Sequence, residues 1–474
     1  MEKSFVSQIA DIDGDFAQWY TDVVVKTKLV DYGPVKGTMV IRPYGYAIWE
    51  NIQNEFNKRF QANGYENAYF PLLIPMSFMT KEAEHVEGFA PEVAVVTHAG
   101  GEKLAEPLCV RPTSETIIGT MYGKWIESWR DLPLRMNQWA NVMRWEKTTR
   151  PFLRTSEFLW QEGHAVFASA EEAEEETLKM LDLYEEFAKT CLAMPVLTGK
   201  KTEKEKFAGA VATYGMEAMM HDGKSLQSGT SHYLGQNFSK AFDIKFTDKD
   251  GTQKFGYTMS FGVSTRLIGA IIMTHGDNRG LVLPPVVAPV QVVIVPIASK
   301  KEGVLENCRA LEERLKKAGV RVKVDDSDNS PGWKFNEWEM KGVPLRIELG
   351  PRDIEAGKMT VSRRDGLEKS ELPLANAENA VLSLLNEISE NLYEKAKKRM
   401  EERIVNAETL EGLLDGVNGG NFVRAGWCGE RACEDKVKEF AQATSRVAAK
   451  EHTACKCVAC GKKAATTLYF ARAY

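Results

Sequence analysis

Long apolar runs are missing from this chain of 474 residues. No stretch approaches the roughly 18 to 20 apolar residues of a membrane-spanning helix, and the opening MEKSFVSQIADIDGDF lacks a basic-then-apolar signal pattern. A soluble, cytoplasmic protein with no membrane partner is expected. An excess of positive charge is also missing: 61 Lys and Arg against 66 Asp and Glu leave a formal net charge of −5. That argues against a general nucleic-acid coat but leaves room for a local basic surface. Cysteine is sparse. Eight are too few for a secreted disulfide framework of this size, yet Cys428, Cys433, Cys455, Cys457 and Cys460 crowd the tail, which suggests a metal. Neither a Walker lysine loop nor a Rossmann glycine fingerprint is present, so any nucleotide must be held in another way. Internal repeats and low-complexity tracts are likewise missing.

What is there divides into blocks, as a length beyond one hydrophobic core requires. YGYAIWENIQNEFNKRFQAN, about residues 44 to 63, has helical apolar spacing, and GYENAYFPLLIP then reads as a strand broken by Pro71 and Pro75. PLRMNQWANVMRWE and EFLWQEGHAVFAS read as a hairpin around a basic loop, and Ser169 with Glu172 forms a capping box that opens an acidic helix to about Cys191. TMSFGVSTRLIGAIIMTH reads as strand, turn and apolar helix, followed by a Pro-rich linker and a boundary near residue 287. MEAMMH at 216 to 221 reads as a helix core face. Beyond the linker, strands and helices alternate in a mixed α/β pattern to about residue 399. The remainder, 400 to 474, has too few large apolar residues for a core of its own and is expected to need a metal staple. The expected fold class is α/β (α+β), with domains at 1–287, 288–399 and 400–474.

The hairpin loop RWEKTTRPFLR concentrates Arg144, Lys147, Arg150 and Arg154 in eleven positions. Cations so close repel unless a polyanion sits among them, and a phosphate chain met by guanidinium forks is the obvious partner; a solvated turn is the bland alternative. Arg144 and Glu146, two apart at a strand end, share a face, and Phe158 returns on the partner strand. Cation, acceptor and aromatic on one floor suit a nucleotide's phosphate, exocyclic amine and ring.

These stretches resemble the signatures of class II aminoacyl-tRNA synthetases. Gly64 to Pro71 is similar to the first, RWE…RPFLRTSEF to the second, and FGVSTRLIGA, with Arg266, to the third; Thr265 stands where many members have Glu. RPTSET, FLRTSEFLWQEGH and GTSHYLGQNF narrow the resemblance to the prolyl-tRNA synthetases, from about residue 15 to Tyr474. The family fold is an antiparallel catalytic sheet, an anticodon-binding α/β domain and a small zinc-containing α+β domain. The resemblance implies ligation of L-proline to tRNA(Pro) through a prolyl-adenylate, with ATP as substrate and Mg2+. It assigns Thr113, Glu115, Arg144 and His232 to proline; His232 taken alone would be a hydrogen-bonded core residue. It assigns Arg144, Glu146, Arg154, Phe158, Gln227, Thr230, Ser264 and Arg266 to ATP, with Arg144 and Arg266 catalytic. Lys147 and Arg150 are open to either ATP or the tRNA acceptor end. In-line attack of the proline carboxylate on the α-phosphorus depends on positioning and charge, so no general base is required.

GWKFNEWEMKGVPLRIELGPRD is similar to the family's anticodon-reading stretch, with Phe335, Glu339, Lys341 and Arg346 as candidate base contacts; an ordinary helix face is the alternative for each. In the tail, Cys428-x4-Cys433 and Cys457-x2-Cys460 are two chelating pairs that suit structural Zn2+, with Cys455 and His452 as rival ligands. Cys109, Cys191 and Cys308 are isolated and read as packing residues. About a hundred residues separate His164 from Phe261, too few for the large editing insertion of many bacterial enzymes, so the chain resembles the archaeal and eukaryotic type. Mischarged alanyl-tRNA is then not cleared in cis. The resemblance also implies a homodimer through the first signature and a C-terminal aromatic, Tyr474, tucked against another domain. A noncatalytic paralogue would have lost the arginines, and a threonyl enzyme would need a catalytic-domain zinc that the three isolated cysteines do not form.

Overall fold

The computed structural model describes residues 9–79, 93–452 and 455–474. Helix α1 (Phe16–Lys26) starts at the Asp15 cap, and α2 (Pro43–Ala62) starts with proline at its first turn, where a missing N–H costs nothing. Ile48, Ile52, Phe56 and Phe60, at four-residue spacing on α2, are all buried. Behind them lies a seven-stranded sheet of β1 (Glu66–Asn67), β2 (Leu134–Met143), β3 (Glu157–Phe167), β4 (Val196–Lys200), β5 (Ala212–Met219), β6 (Ser225–Gly235) and β7 (Tyr257–Ser264), ordered β1-β2-β3-β7-β6-β5-β4. All pairings are antiparallel except β1 with β2. Helix α3 (Glu115–Trp125) lies near one side. Helix α4 (Ala170–Leu192), opened by the reciprocal Ser169 and Glu172 bonds, packs over β6 and β7. Gly163 on β3 is required by packing, because a Cβ there would collide with the Phe261 ring.

Helix α5 (Arg266–His275) leads to the Pro-rich linker, which is buried: Arg321 donates to the carbonyls of Pro285, Val286 and Ala288. Next comes a five-stranded mixed sheet of β8 (Val292–Pro296), β9 (Val322–Val324), β10 (Leu345–Leu349), β11 (Lys358–Arg363) and β12 (Lys369–Pro373), ordered β9-β8-β10-β11-β12. Around it lie α6 (Val304–Lys317), α7 (Pro331–Met340) and α8 (Ala377–Glu402). Helix α8 is continuous through residue 399, so the line drawn at 399/400 falls inside it.

Several expectations are corrected. MEAMMH belongs to β5 and the turn after it, not to a helix; a run apolar on both faces has no readable period. Strand β2 ends at Met143, so Arg144 and Glu146 lie just past it, and the Arg144 N–H reaches the Ser156 carbonyl. GYENAYFPLLIP splits between two sheets, with Leu73–Pro75 pairing in a separate three-stranded one. The tail does have a core. Its strands β13 (Ile404–Ala407), β14 (Phe422–Trp427), β15 (Thr444–Ala448) and β16 (Thr466–Ala471), ordered β13-β14-β16-β15, pack with α9 (Arg431–Ala441) around Leu413, Val423, Val437, Leu468 and Phe470. This cluster of mostly small side chains suffices because the sheet also leans on the catalytic sheet, β15 against β4 and β5. Tyr474 tucks in as expected, its hydroxyl donating to Asp222 at 2.6 Å and its N–H to the Ser225 carbonyl.

Candidate active site

Strand alternation builds the floor of a cavity of about 260 Å³. From β3 come Phe158, Trp160, Glu162 and His164, from β6 Thr230 and His232, and from β7 Ser260, Gly262 and Ser264. Register sets them in rows: Thr230, Gly262 and Glu162 lie side by side, as do His232, Ser260 and His164. Gly262 leaves the middle of the floor without a side chain. Thr113, Glu115 and Arg144 form one wall, Gln227 and Arg266 another, and Lys201, Glu205, Lys206 and Phe207 close a third.

The end around Thr113 is acidic and hydrogen-bonded. The Thr113 hydroxyl donates to Glu115, and Gln138 bridges Ser114 to Glu162. Burial raises Glu162 and lowers His164, but their 2.9 Å contact outweighs burial in both, leaving the carboxyl below and the imidazole above its ordinary value. His232 differs. Burial, reinforced by the charges of Lys201 and His164, pushes it down to about 3, so it is neutral, with Thr213 on Nδ1 and the Phe207 ring 4.8 Å away.

Arg144 lies between this end and the cationic end around Arg266. Arg144 donates from Nε to the Pro112 carbonyl at 3.0 Å and lies over the rings of Phe158 and Trp160, 5.6 Å from each centroid. Burial lowers its pKa, and Glu115, Glu146 and Glu162 offset part of that. Arg266 donates to the carbonyls of Leu153 (3.0 Å) and Gln227 (3.2 Å), leaving three of its five N–H donors for a ligand. Burial and the like charges of Arg154 and Arg144 push it down to about 10, the signature of cations gathered for an anion. Arg154 and Glu146 stand apart from the lining, paired with each other at 3.4 Å on an exposed rim.

In the C-terminal domain, the sulfurs of Cys428, Cys433, Cys457 and Cys460 all lie within 4.8 Å of one another. The separations of Cys428 from Cys433 and Cys460, 3.6 and 3.8 Å, match the edge of roughly 3.8 Å that a tetrahedron with zinc–sulfur bonds of about 2.3 Å must have. Burial raises Cys457, but backbone N–H donors, Ala459 foremost, outweigh it and bring the thiol to about 7, suited to a thiolate ligand. Among the described residues, Cys455 and His452 stand outside the cluster, and His452 contacts Thr467.

Residues 98–275 match the tRNA synthetase class II core domain (G, H, P, S and T), 291–384 the anticodon binding domain, and 410–474 the prolyl-tRNA synthetase C-terminal family. The proline–tRNA ligase of Alkaliphilus oremlandii (strain OhILAs) is 61% identical over 477 residues, covering 100% of this chain and 99% of that protein. Proline–tRNA ligase 2 of Clostridioides difficile (strain 630) is 57% identical at the same coverage. The chain belongs to the class II prolyl-tRNA synthetases. A prolyl-tRNA synthetase from Cryptosporidium parvum, crystallised with halofuginone and AMPPNP, superposes with a TM-score of 0.95 at 43% identity, covering 99% of this chain and 100% of that one. As a prolyl-tRNA synthetase, the protein is a proline–tRNA ligase that charges tRNA(Pro) in an ATP-dependent reaction.

Of the residues assigned from the synthetase signatures, Thr113, Glu115, Arg144, Phe158, Gln227, Thr230, His232, Ser264 and Arg266 line the cavity. Trp160, Glu162 and His164 were missed, although two-residue alternation from Phe158 along β3 points to all three. Lys201 and Phe207 carried no such signal, because they sit on irregular backbone between β4 and β5. In the anticodon-binding domain, the Arg346 guanidinium lies 4.1 Å over the Phe335 ring. Glu339 pairs with Arg279 at 2.8 Å and Lys341 with Glu337 at 2.8 Å. Glu339 and Arg346 share a small cavity with Trp338, Arg363 and Arg364, while Phe335 and Lys341 lie outside its lining.

Proposed function

We propose that proline and ATP react in this cavity to give prolyl-adenylate, whose prolyl group then passes to a terminal ribose hydroxyl of tRNA(Pro). The observation that carries the reading is the polarity of the cavity: carboxylates and a neutral imidazole at one end, desolvated guanidinium groups at the other. Proline fits the first end. Glu115 attracts its secondary ammonium, the Thr113 hydroxyl supplies a polar contact, and neutral His232 and Phe207 face the apolar ring. Arg144 lies between the ends, so one guanidinium can hold the proline carboxylate and the α-phosphate and neutralise charge as the bond forms. Arg266 and, when it leaves Glu146, Arg154 take the outer phosphates. Phe158 offers a face to adenine and Glu146 an acceptor to its amine, with Gln227, Thr230 and Ser264 at ribose or phosphate oxygens. The bound AMPPNP of the Cryptosporidium parvum enzyme supports an ATP site in this fold.

Magnesium would add charge neutralisation at the phosphates. Gln227 and Ser264 offer neutral oxygens rather than a carboxylate cage, a donor set that fits an ion carried in by the phosphates. Zinc fits Cys428, Cys433, Cys457 and Cys460, with no position left for water. Phe335, Glu339, Lys341 and Arg346 would read the anticodon, Glu339 and Lys341 by exchanging their ion pairs. The working domains are 1–287, 288–399 and 400–474, the last two joined through the continuous helix α8. The exposed side chains of Tyr69 and Leu73, beside Pro71, support a homodimer there. We also place the protein in the cytoplasm and in the archaeal and eukaryotic type, without editing of alanyl-tRNA in cis.

ATP–pyrophosphate exchange with a panel of single amino acids tests the reading. Exchange dependent on proline and lost in Arg144→Ala is expected; proline-independent exchange, or full exchange in that variant, would reject the assignment.

A further inference from the structure

The third wall of the cavity is irregular backbone held in part from outside its own domain. Residues 201–207 open the connection from β4 to β5, and Lys201, Glu205, Lys206 and Phe207 face the cavity. Their backbone ties to the catalytic sheet are few: Lys201 N–H to Thr213, and Phe207 N–H to the Thr213 hydroxyl. Phe207 itself packs on His232 and Phe238 of its own domain, while Thr202 and Lys204 reach the other way, to the C-terminal sheet domain. The Thr202 hydroxyl donates to Glu434 at 2.9 Å and Lys204 pairs with Asp435 at 2.6 Å. The Lys201 ammonium pairs with Glu217 at 3.1 Å and touches the Arg446 carbonyl, while the Arg446 guanidinium holds both Glu217 oxygens.

Glu217, Glu434 and Arg446 are buried at 0%, 2% and 7% exposure. Buried ion pairs are weak stabilisers, since desolvation cancels most of the attraction, but each fixes a geometry sharply because every partner must be in place. The segment they hold carries Phe207, which packs against His232 on one side and Phe238 on another.

We propose that Glu434, Asp435 and Arg446 are positioning residues for the proline pocket, acting through Thr202, Lys204 and Lys201. The C-terminal domain thereby sets proline affinity without touching substrate. The inference rests on the assignment of the His232 end of the cavity to proline.

The test is ATP–pyrophosphate exchange by the full chain, titrating proline and ATP separately, in Glu434→Ala, Glu434→Gln, Lys204→Ala, Asp435→Ala and the last two combined. Loosening one wall by less than an ångström is expected to raise the proline KM about three- to tenfold, with kcat and the ATP KM within about twofold. Gln at 434 still accepts from Thr202 and is expected to recover most of the loss. The combined variant is expected to be no worse than the poorer single one, because both remove the same contact. An unchanged proline KM in Glu434→Ala overturns the proposal, as does a parallel change of all three constants tracking a fall in Tm. If Glu434→Ala does not fold, the Lys204 and Asp435 variants decide by the same criteria. His232→Ala is the control: an unmoved proline KM there rejects the pocket assignment itself, and the proposal with it.

Discussion

Replacing Arg266 by Ala separates binding from stability. In the ligand-free protein the cation is held against burial and two neighbouring guanidinium groups, and its fall to about 10 corresponds to about 3 kcal/mol against the charged form. Removing it relieves that cost but leaves the Leu153 and Gln227 carbonyls without their donor, at about 1 to 3 kcal/mol each where water cannot replace it. The two effects nearly cancel, so the ligand-free Tm should stay within a few degrees of wild type. Catalysis has no such offset. A donor aimed at developing phosphate charge is worth about 3 to 4 kcal/mol, so proline-dependent exchange should fall about 10²- to 10³-fold. Saturating ATP should raise the Tm of the wild type and have little effect on the variant. Arg266→Lys should recover little, because one ammonium cannot bond both carbonyls and still fork a phosphate. Exchange within about threefold of wild type, or an undiminished Tm rise with ATP, would refute the argument.

Three further outcomes follow from the same geometry. The raised His164 adds stability that is whole below its unfolded value of 6.5 and is lost as pH rises through its folded value, whereas the lowered Glu162 adds stability that is whole above 4.5 and is lost as pH falls. The Tm difference between wild type and Glu162→Gln should therefore be greatest between about pH 5 and 6.5 and shrink on either side; a pH-independent difference would contradict the pair. Cys428→Ser should remove zinc, read by metal analysis, and lower Tm while leaving the chain folded at room temperature, since the C-terminal domain has an apolar core of its own. Wholesale loss of circular dichroism would instead make the metal the source of that fold. Arg346→Ala should raise the tRNA KM in aminoacylation by about 1 to 3 kcal/mol equivalent, with exchange unaltered, and altered exchange would place Arg346 elsewhere in the mechanism.

What could be read without a structure was what is local or repeats. The hairpin around the basic loop was legible because its strands alternate and its loop gathers four cations in eleven positions. The same alternation, followed past Phe158, reaches Trp160, Glu162 and His164 and makes half of the cavity floor predictable. The cysteine pairs were legible because chelation needs close spacing, and the geometry chose Cys457 and Cys460 over Cys455 and His452. Failure came where burial has two sides. The run through Met216 to Met220 is covered on both faces, so neither helical nor strand period survives in it. The tail seemed poor in core residues for a related reason: part of its apolar surface is completed by the catalytic sheet, which no window of the tail contains.

The wall formed by residues 201–207 is the extreme of that limit. Lys201 and Arg446 are 245 positions apart, yet the ammonium of one bonds the carbonyl of the other. Lys201, Thr202, Lys204, Glu217, Glu434, Asp435 and Arg446 are, one by one, ordinary polar residues of the kind that usually face water. Only the docking of two domains gathers them into one set, with Lys201, Thr202, Glu217, Glu434 and Arg446 buried and the Lys204 and Asp435 pair at its edge, and only their shared neighbour, the Phe207 and His232 contact, gives that set a consequence for substrate. A charge reversal exchanging the partners, Lys204→Asp with Asp435→Lys, should accordingly restore a proline KM that either single reversal raises, because position rather than identity is what the pair supplies. If the double reversal is as poor as the singles while its Tm matches wild type, the two residues act on proline separately, and the coupling between domains is lost from the explanation.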